Sequence, residues 1–151
     1  MEIRNLLTVA YFVLAIYAFA GGVVQNVVNY PSWKLISAED LPAVHKYVVR
    51  RQIIYVPFVL LGFLVNIVLI WVHHPAISTP LIVIAAAFYL LILVVTVTLV
   101  VPIHKQLDKV KSVELIDRIV VYDLYLRVIP GCMKMVVIII MLYQVVSASS
   151  S

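Results

Sequence analysis

The chain has 151 residues, of which 65% are hydrophobic and only 12% charged, and its formal net charge is +4. Soluble domains carry roughly 25% charged residues, and a water-soluble fold of this length has no way to hide so much apolar surface. A soluble enzyme is therefore excluded, and so is a nucleic-acid reading of the basic charge, which lies beside the apolar runs where it sets topology or meets anionic lipid.

A helix needs about 20 mainly apolar residues to cross the hydrocarbon core. Residues 6–28 supply a first span. Ala18-Phe19-Ala20 before Gly21 looks like a signal-peptidase site, but apolar residues continue past it, so this span is read as uncleaved. Gly21-Gly22 reads as a close helix contact. Next comes a structured segment over 29–52. Tyr30-Pro31 is expected to break the helix, because proline lacks an N–H and restricts the residue before it. Asp40 is the better candidate N-cap than Ser37, since Pro42 then falls in the first turn of a new helix. Trp33, Tyr47 and Tyr55 suit the headgroup level.

A second span over 53–72 bends at Pro57 and holds Asn66, expected to make an interhelical hydrogen bond. His73-His74 then reads as a solvated turn before Pro75. The third span covers 81–101 and is expected to end at Pro102. After a second basic segment, 102–118, Ser112 and Glu114 mark a helix start, and the fourth span covers 119–146. The tail 147–151 is low in complexity and expected to be disordered. None of these runs alternates with a period of two, so a β-barrel is rejected. The expectation is an all-α integral membrane four-helix bundle, one domain over 1–146, with a structured interfacial segment between the first two helices.

Four spans put both termini and the 73–80 loop on one side, which carries Arg4 alone. The other side carries Lys34, Lys46, Arg50, Arg51, Lys105, Lys109, Lys111 and Arg118, eight basic residues. The positive-inside rule therefore makes segments 29–52 and 102–118 cytoplasmic in a bacterial inner membrane. Cys132 is the single cysteine, which leaves no disulfide and no CxxC pair and argues against a vitamin K epoxide reductase type of enzyme.

Charge inside a span is costly and points to function by default. In the last span Asp123 and Arg127 are four apart and pair on one face, with Lys134 seven residues further on that face. In the first span Gln25 and Asn29 are also four apart. Followed up and down the bundle, Gln25, Asn26, Asn29, Tyr30, His45, Arg50, His104, Asp123, Tyr125 and Arg127 gather at the basic-segment end. Polar groups converging above an apolar interior make a small-molecule site. They also suit a plain knit of helix ends, and both readings stay open.

The stretches NYPSWKLISAEDLPAVHKYVVRRQ, VPIHKQL and LYLRVIPG resemble the anthrone-oxygenase-like family of small four-span membrane proteins. The matching positions are Tyr30, Pro31, His45, Arg51, Pro102, His104, Leu107 and Arg127; where relatives often have Asn-Trp this chain has Leu124-Tyr125, with Asp123 one position earlier. The resemblance implies a cofactor-independent oxygenase or binder for a lipophilic aromatic or quinone-like molecule. It implies His45 or His104 as base and Arg127, Arg51 or Tyr30 holding an oxyanion; Asp123, Gln25, Asn29 and Tyr125, from the convergence of polar groups, complete the candidate site. No resident metal or cofactor is expected, and haem is disfavoured because no histidine lies within an apolar run. Expected partners are membrane lipids and a lipophilic small molecule; nucleic acid is excluded and a homo-oligomer is left open. The competing readings are a non-catalytic subunit or lipid-binding module and, behind it, a haem or metal protein. A glutathione-transferase-like four-span enzyme is ranked below these, because the second span lacks its arginine-rich pattern.

Overall fold

Apolar runs without a two-residue period satisfy their backbone internally as helices. The computed structural model describes residues 2–52 and 55–149, and among them there is no strand. We label the helices α1 (Ile3–Leu35), α2 (Leu41–Gln52), α3 (Tyr55–Leu69), α4 (Thr79–Leu107) and α5 (Val113–Ser149). Three of them, α1, α4 and α5, are long and apolar enough to cross a membrane, and α2 with α3 makes a fourth candidate if that pair, bent by 41°, counts as one. The expected start of the second span at Ile53, and the side chain of Tyr55, lie outside the described residues.

The start positions hold, but one cap does not. Helix α2 begins directly after Asp40, with Pro42 in its first turn, yet the capping bond is made by Ser37, whose hydroxyl accepts from the Asp40 amide at 3.0 Å and donates to the Asp40 carboxylate at 2.7 Å. At the start of α5 the Ser112 hydroxyl accepts from the Leu115 amide at 3.2 Å, while Glu114 pairs with Arg118. Proline stop signals do not hold. Tyr30-Pro31 leaves α1 unbroken to Leu35, and Pro102 leaves α4 unbroken to Leu107. In each case, and again before Pro130, the helix widens by one residue instead of ending. The amides of Tyr30, Val101 and Ile129 donate to the carbonyls five residues back, at Gln25, Thr96 and Leu124. A wide turn of this kind takes up the clash between a proline ring and the preceding turn without ending the helix. The other expected end, Val72, also moves: α3 stops at Leu69, and a His73 ring nitrogen lies 3.0 Å from the Leu69 carbonyl. Residues 147–149, expected in a disordered tail, continue α5, where the Ser149 hydroxyl donates to the Val145 carbonyl.

Helix α1 packs on α3 and α5, and α4 packs on the same two helices from the other side. Two buried clusters close the ends of this arrangement. Tyr11, Phe12 and Ala15 of α1 meet Leu69, Ile82, Ala85, Tyr89, Ile138 and Met141 at one end. Tyr30, Trp33, Leu41, Val100, Ile103, Leu107, Ile116 and Ile119 close the other. Along α1, α4 and α5 the residues between these clusters line a cavity. Outside, large apolar side chains such as Val13, Val27, Val97 and Ile139 are more than half exposed, which no aqueous surface favours. Asn66 ties α3 to α4 by donating to the Ile82 carbonyl at 3.3 Å, as its position in the sequence led us to expect.

Candidate functional site

The cavity measures about 310 Å³ and its wall is predominantly apolar, with Phe19, Val59, Leu60, Phe63 and Ile92 among its members. Its polar side chains are few: Gln25, Tyr30, Tyr89, Thr96, His104, Arg127 and Lys134. All three wide turns reach this wall, through Gln25, Thr96 and Arg127. An extra residue per turn rotates the side chains that follow it, so these turns re-aim Tyr30, His104 and Gly131 relative to the apolar stripe below. Gly22, expected at a helix contact, instead has no atom within 4 Å of where a Cβ would stand and opens onto the cavity. The close approach is made by Gly131, where a Cβ would lie 3.1 Å from the Phe19 ring.

At the α2 end two histidines and an acid form a chain. Asp108 Oδ1 lies 2.7 Å from His45 Nδ1, and His45 Nε2 lies 2.9 Å from His104 Nδ1. An ionised carboxylate only accepts, so His45 donates through Nδ1 and a neutral ring then accepts through Nε2. His104 therefore donates through Nδ1 and keeps the lone pair of its own Nε2, on a ring that lines the cavity. His45 is fully buried, while the Asp108 carboxyl is 31% exposed, so the chain runs from the surface to the cavity wall. Trp33 holds both rings, edge-on to His45 at 4.8 Å and to His104 at 5.7 Å, and Tyr30 packs against Trp33 at 5.0 Å.

Beside this chain, Arg127 pairs with the fully buried Asp123 and, like Tyr30, lines the cavity. Asp123 stands behind Arg127, away from the cavity wall. Buried Asn26 fixes α1 to α5 by donating to the Val120 carbonyl at 2.8 Å, and Asn29 donates to Gln25 Oε1 at 3.0 Å. Two turns deeper along α5 from Arg127, Lys134 is 2% exposed, with Nζ 3.5 Å from the centre of the Tyr89 ring.

Of the residues singled out from sequence, Gln25, Tyr30, His104 and Arg127 line the cavity, and His45, Asp123 and Asn29 support them from behind. Arg51 and Tyr125 do not belong. Tyr125 is 61% exposed, and it sits two residues from both Asp123 and Arg127, hence on the far side of the helix. Arg51 is exposed and stacks over Tyr47 at 4.3 Å; six residues past His45, it projects from another face of α2. Arg50 is exposed as well. Trp33, read as a headgroup anchor, is 2% exposed and packs the histidines. Asp108 went unremarked, although its place four residues after His104 was a usable signal for one helical face. Among the described residues no three His, Cys, Asp or Glu side chains are grouped to hold a metal ion; both His45 ring nitrogens are already engaged. The His73-His74 pair is the turn it was read to be, with His74 Nδ1 accepting from the Ala76 amide at 3.2 Å.

Comparison of the chain with protein-family models, curated proteins and solved structures finds no match.

Proposed function

We propose that this chain is an integral membrane four-helix bundle that takes a lipophilic aromatic molecule into its central cavity and removes a proton from it with His104. The observation that carries the reading is the Asp108–His45–His104 chain ending on the cavity wall. A neutral imidazole in this arrangement is a general base whose new charge is shared outward to a carboxylate, leaving the apolar cavity free of a stranded cation. Arg127, on the same cavity wall as His104 and Tyr30, sits where an oxyanion formed by deprotonation would be held. Asp123 keeps the buried guanidinium compensated.

The membrane assignment rests on three long apolar helices and an exterior of exposed Val, Leu and Ile side chains. Eight basic residues flank the His45 end, which makes that end cytoplasmic under the positive-inside rule in a bacterial inner membrane.

For the reaction class we take the resemblance to anthrone oxygenases as our guide. A ring CH₂ activated by a carbonyl across the ring loses a proton to His104, the carbanion gives its electrons to dioxygen, and the hydroperoxide loses water. One dioxygen is consumed and one water released for each CH₂ converted to C=O. The test is anthrone oxidation by the purified protein, followed by quinone absorbance. His104→Ala is expected to lower the protein-dependent rate by about 10²–10⁴-fold, the usual worth of a positioned base. His45→Ala and Asp108→Asn are expected to lower it less, because they leave the base in place and remove its support. Unchanged rates in both histidine variants contradict the reading and leave a structural knit of helix ends.

A further inference from the structure

The base at His104 uses only one end of the cavity. Lys134 lines the other, on α5, about 10 Å along the axis from Arg127 at 1.5 Å per residue. Its side chain is 98% buried, as 2% relative exposure implies, and among the described residues no carboxylate lies within 4.0 Å of it. The ring face of Tyr89, 3.5 Å from Nζ, is what it touches. A ring quadrupole offsets only part of the cost of taking an ammonium out of water. Arg127 is different, because Asp123 answers its charge. The wall thus holds two basic side chains and one acid behind them, with the unmatched base at the deep end.

Space in the cavity is built in. Gly22 presents no side chain to the cavity. Gly62 gives way to Tyr89: a Cβ there would stand 2.7 Å from the tyrosine hydroxyl, so the ring's position under Lys134 depends on a glycine in α3. Lys134 thus packs beside the buried cluster that contains Tyr89 and Ile138.

We propose that Lys134 is the subsite for an ionised oxygen, and that the ligand is a lipophilic acid: an aromatic body filling the apolar cavity, with a carboxylate or phenolate at the Lys134 end and its reacting carbon at the His104 end. This rests on the reading that the cavity holds a lipophilic ligand and adds which chemical class it selects. The ligand oxygen replaces the missing counter-ion, and the Tyr89 ring orients the ammonium toward it.

The test compares anthraquinone-2-carboxylate with its neutral carboxamide, titrated against the detergent-solubilised full chain by isothermal calorimetry. Wild type is expected to prefer the carboxylate by about tenfold or more, the factor that a hydrogen bond to a charged group supplies. Lys134→Met is expected to abolish the preference while binding the carboxamide as wild type does, since it removes a buried charge for a side chain of similar volume. Lys134→Arg is expected to keep it. A preference that survives Lys134→Met, or none in wild type while both compounds bind, overturns the subsite and leaves the His104 reading intact. If neither compound binds wild type, both readings fall. His104→Ala, by contrast, should lose turnover and retain the carboxylate preference.

Discussion

Asp123 and Arg127 show how a single residue can be read correctly and its setting missed. Their four-residue spacing gave the pair, and the structure has it, with Asp123 fully buried. Removing one partner strands the other: Asp123→Asn should cost about 3–5 kcal/mol, whereas Asp123→Leu with Arg127→Met together should cost less. Thermal unfolding of the single and double variants in detergent checks this, and equal losses would contradict it. Tyr89 and Gly62 make a second residue-scale prediction. Gly62→Ala forces the Tyr89 hydroxyl away and should destabilise by about 1–3 kcal/mol, as overpacking does. Adding Tyr89→Phe removes the atom that clashes and should recover part of that loss, read in the same melts. Asp108 was passed over and Trp33 was placed at the headgroup level for a common reason. Spacing shows which residues share a helical face, but which faces of α1, α2 and α4 meet is decided by packing that no local pattern records.

At the scale of elements, the apolar runs were legible and the prolines were misread. The hydrophobic stretches announced the three long helices and the shorter α3, because covering a run of apolar side chains leaves a helix little alternative, though α1 and α4 run six or seven residues past their expected ends. Pro31 and Pro102 were taken as stops, yet each sits one residue beyond a widened turn that lets the helix run on. The sequence carried that signal three times, at Tyr30-Pro31, Val101-Pro102 and Ile129-Pro130, and only the comparison of all three exposes it. The widened turn in α4 is reinforced by Thr96 and Thr98, whose hydroxyls donate to the carbonyls four residues back at 2.7 and 2.8 Å. If Pro102 keeps α4 wide, Pro102→Ala lets the turn tighten and swings His104 away from His45. We expect unchanged or higher thermal stability with a loss of activity on the order of 10²-fold, the cost of displacing a catalytic group by about 1 Å. Unaltered activity would show that the wide turn does not aim His104.

For the whole molecule, the helices pack tightly at both ends and leave a cavity between, and the polar residues that the sequence scattered over 110 positions converge on its wall. The membrane orientation we propose follows from charge alone. A cysteine placed at Ser37, in a Cys132→Ser background, should react with an impermeant maleimide in inverted inner-membrane vesicles and stay protected in spheroplasts; the reverse pattern refutes the orientation. Filling the cavity is the complementary test of its use. Gly22→Leu points into open space, so it should fold normally while blocking the binding of a three-ring aromatic.

Deuterium uptake tests the central claim most directly, because it separates proton removal from everything that follows. Anthrone is incubated in D₂O without oxygen, and proton NMR follows loss of its ring CH₂ signal. We predict exchange clearly faster with wild-type protein than in detergent alone, slowed by about 10²-fold or more in His104→Ala. Exchange no faster than the detergent blank, or equally fast in His104→Ala, contradicts the account.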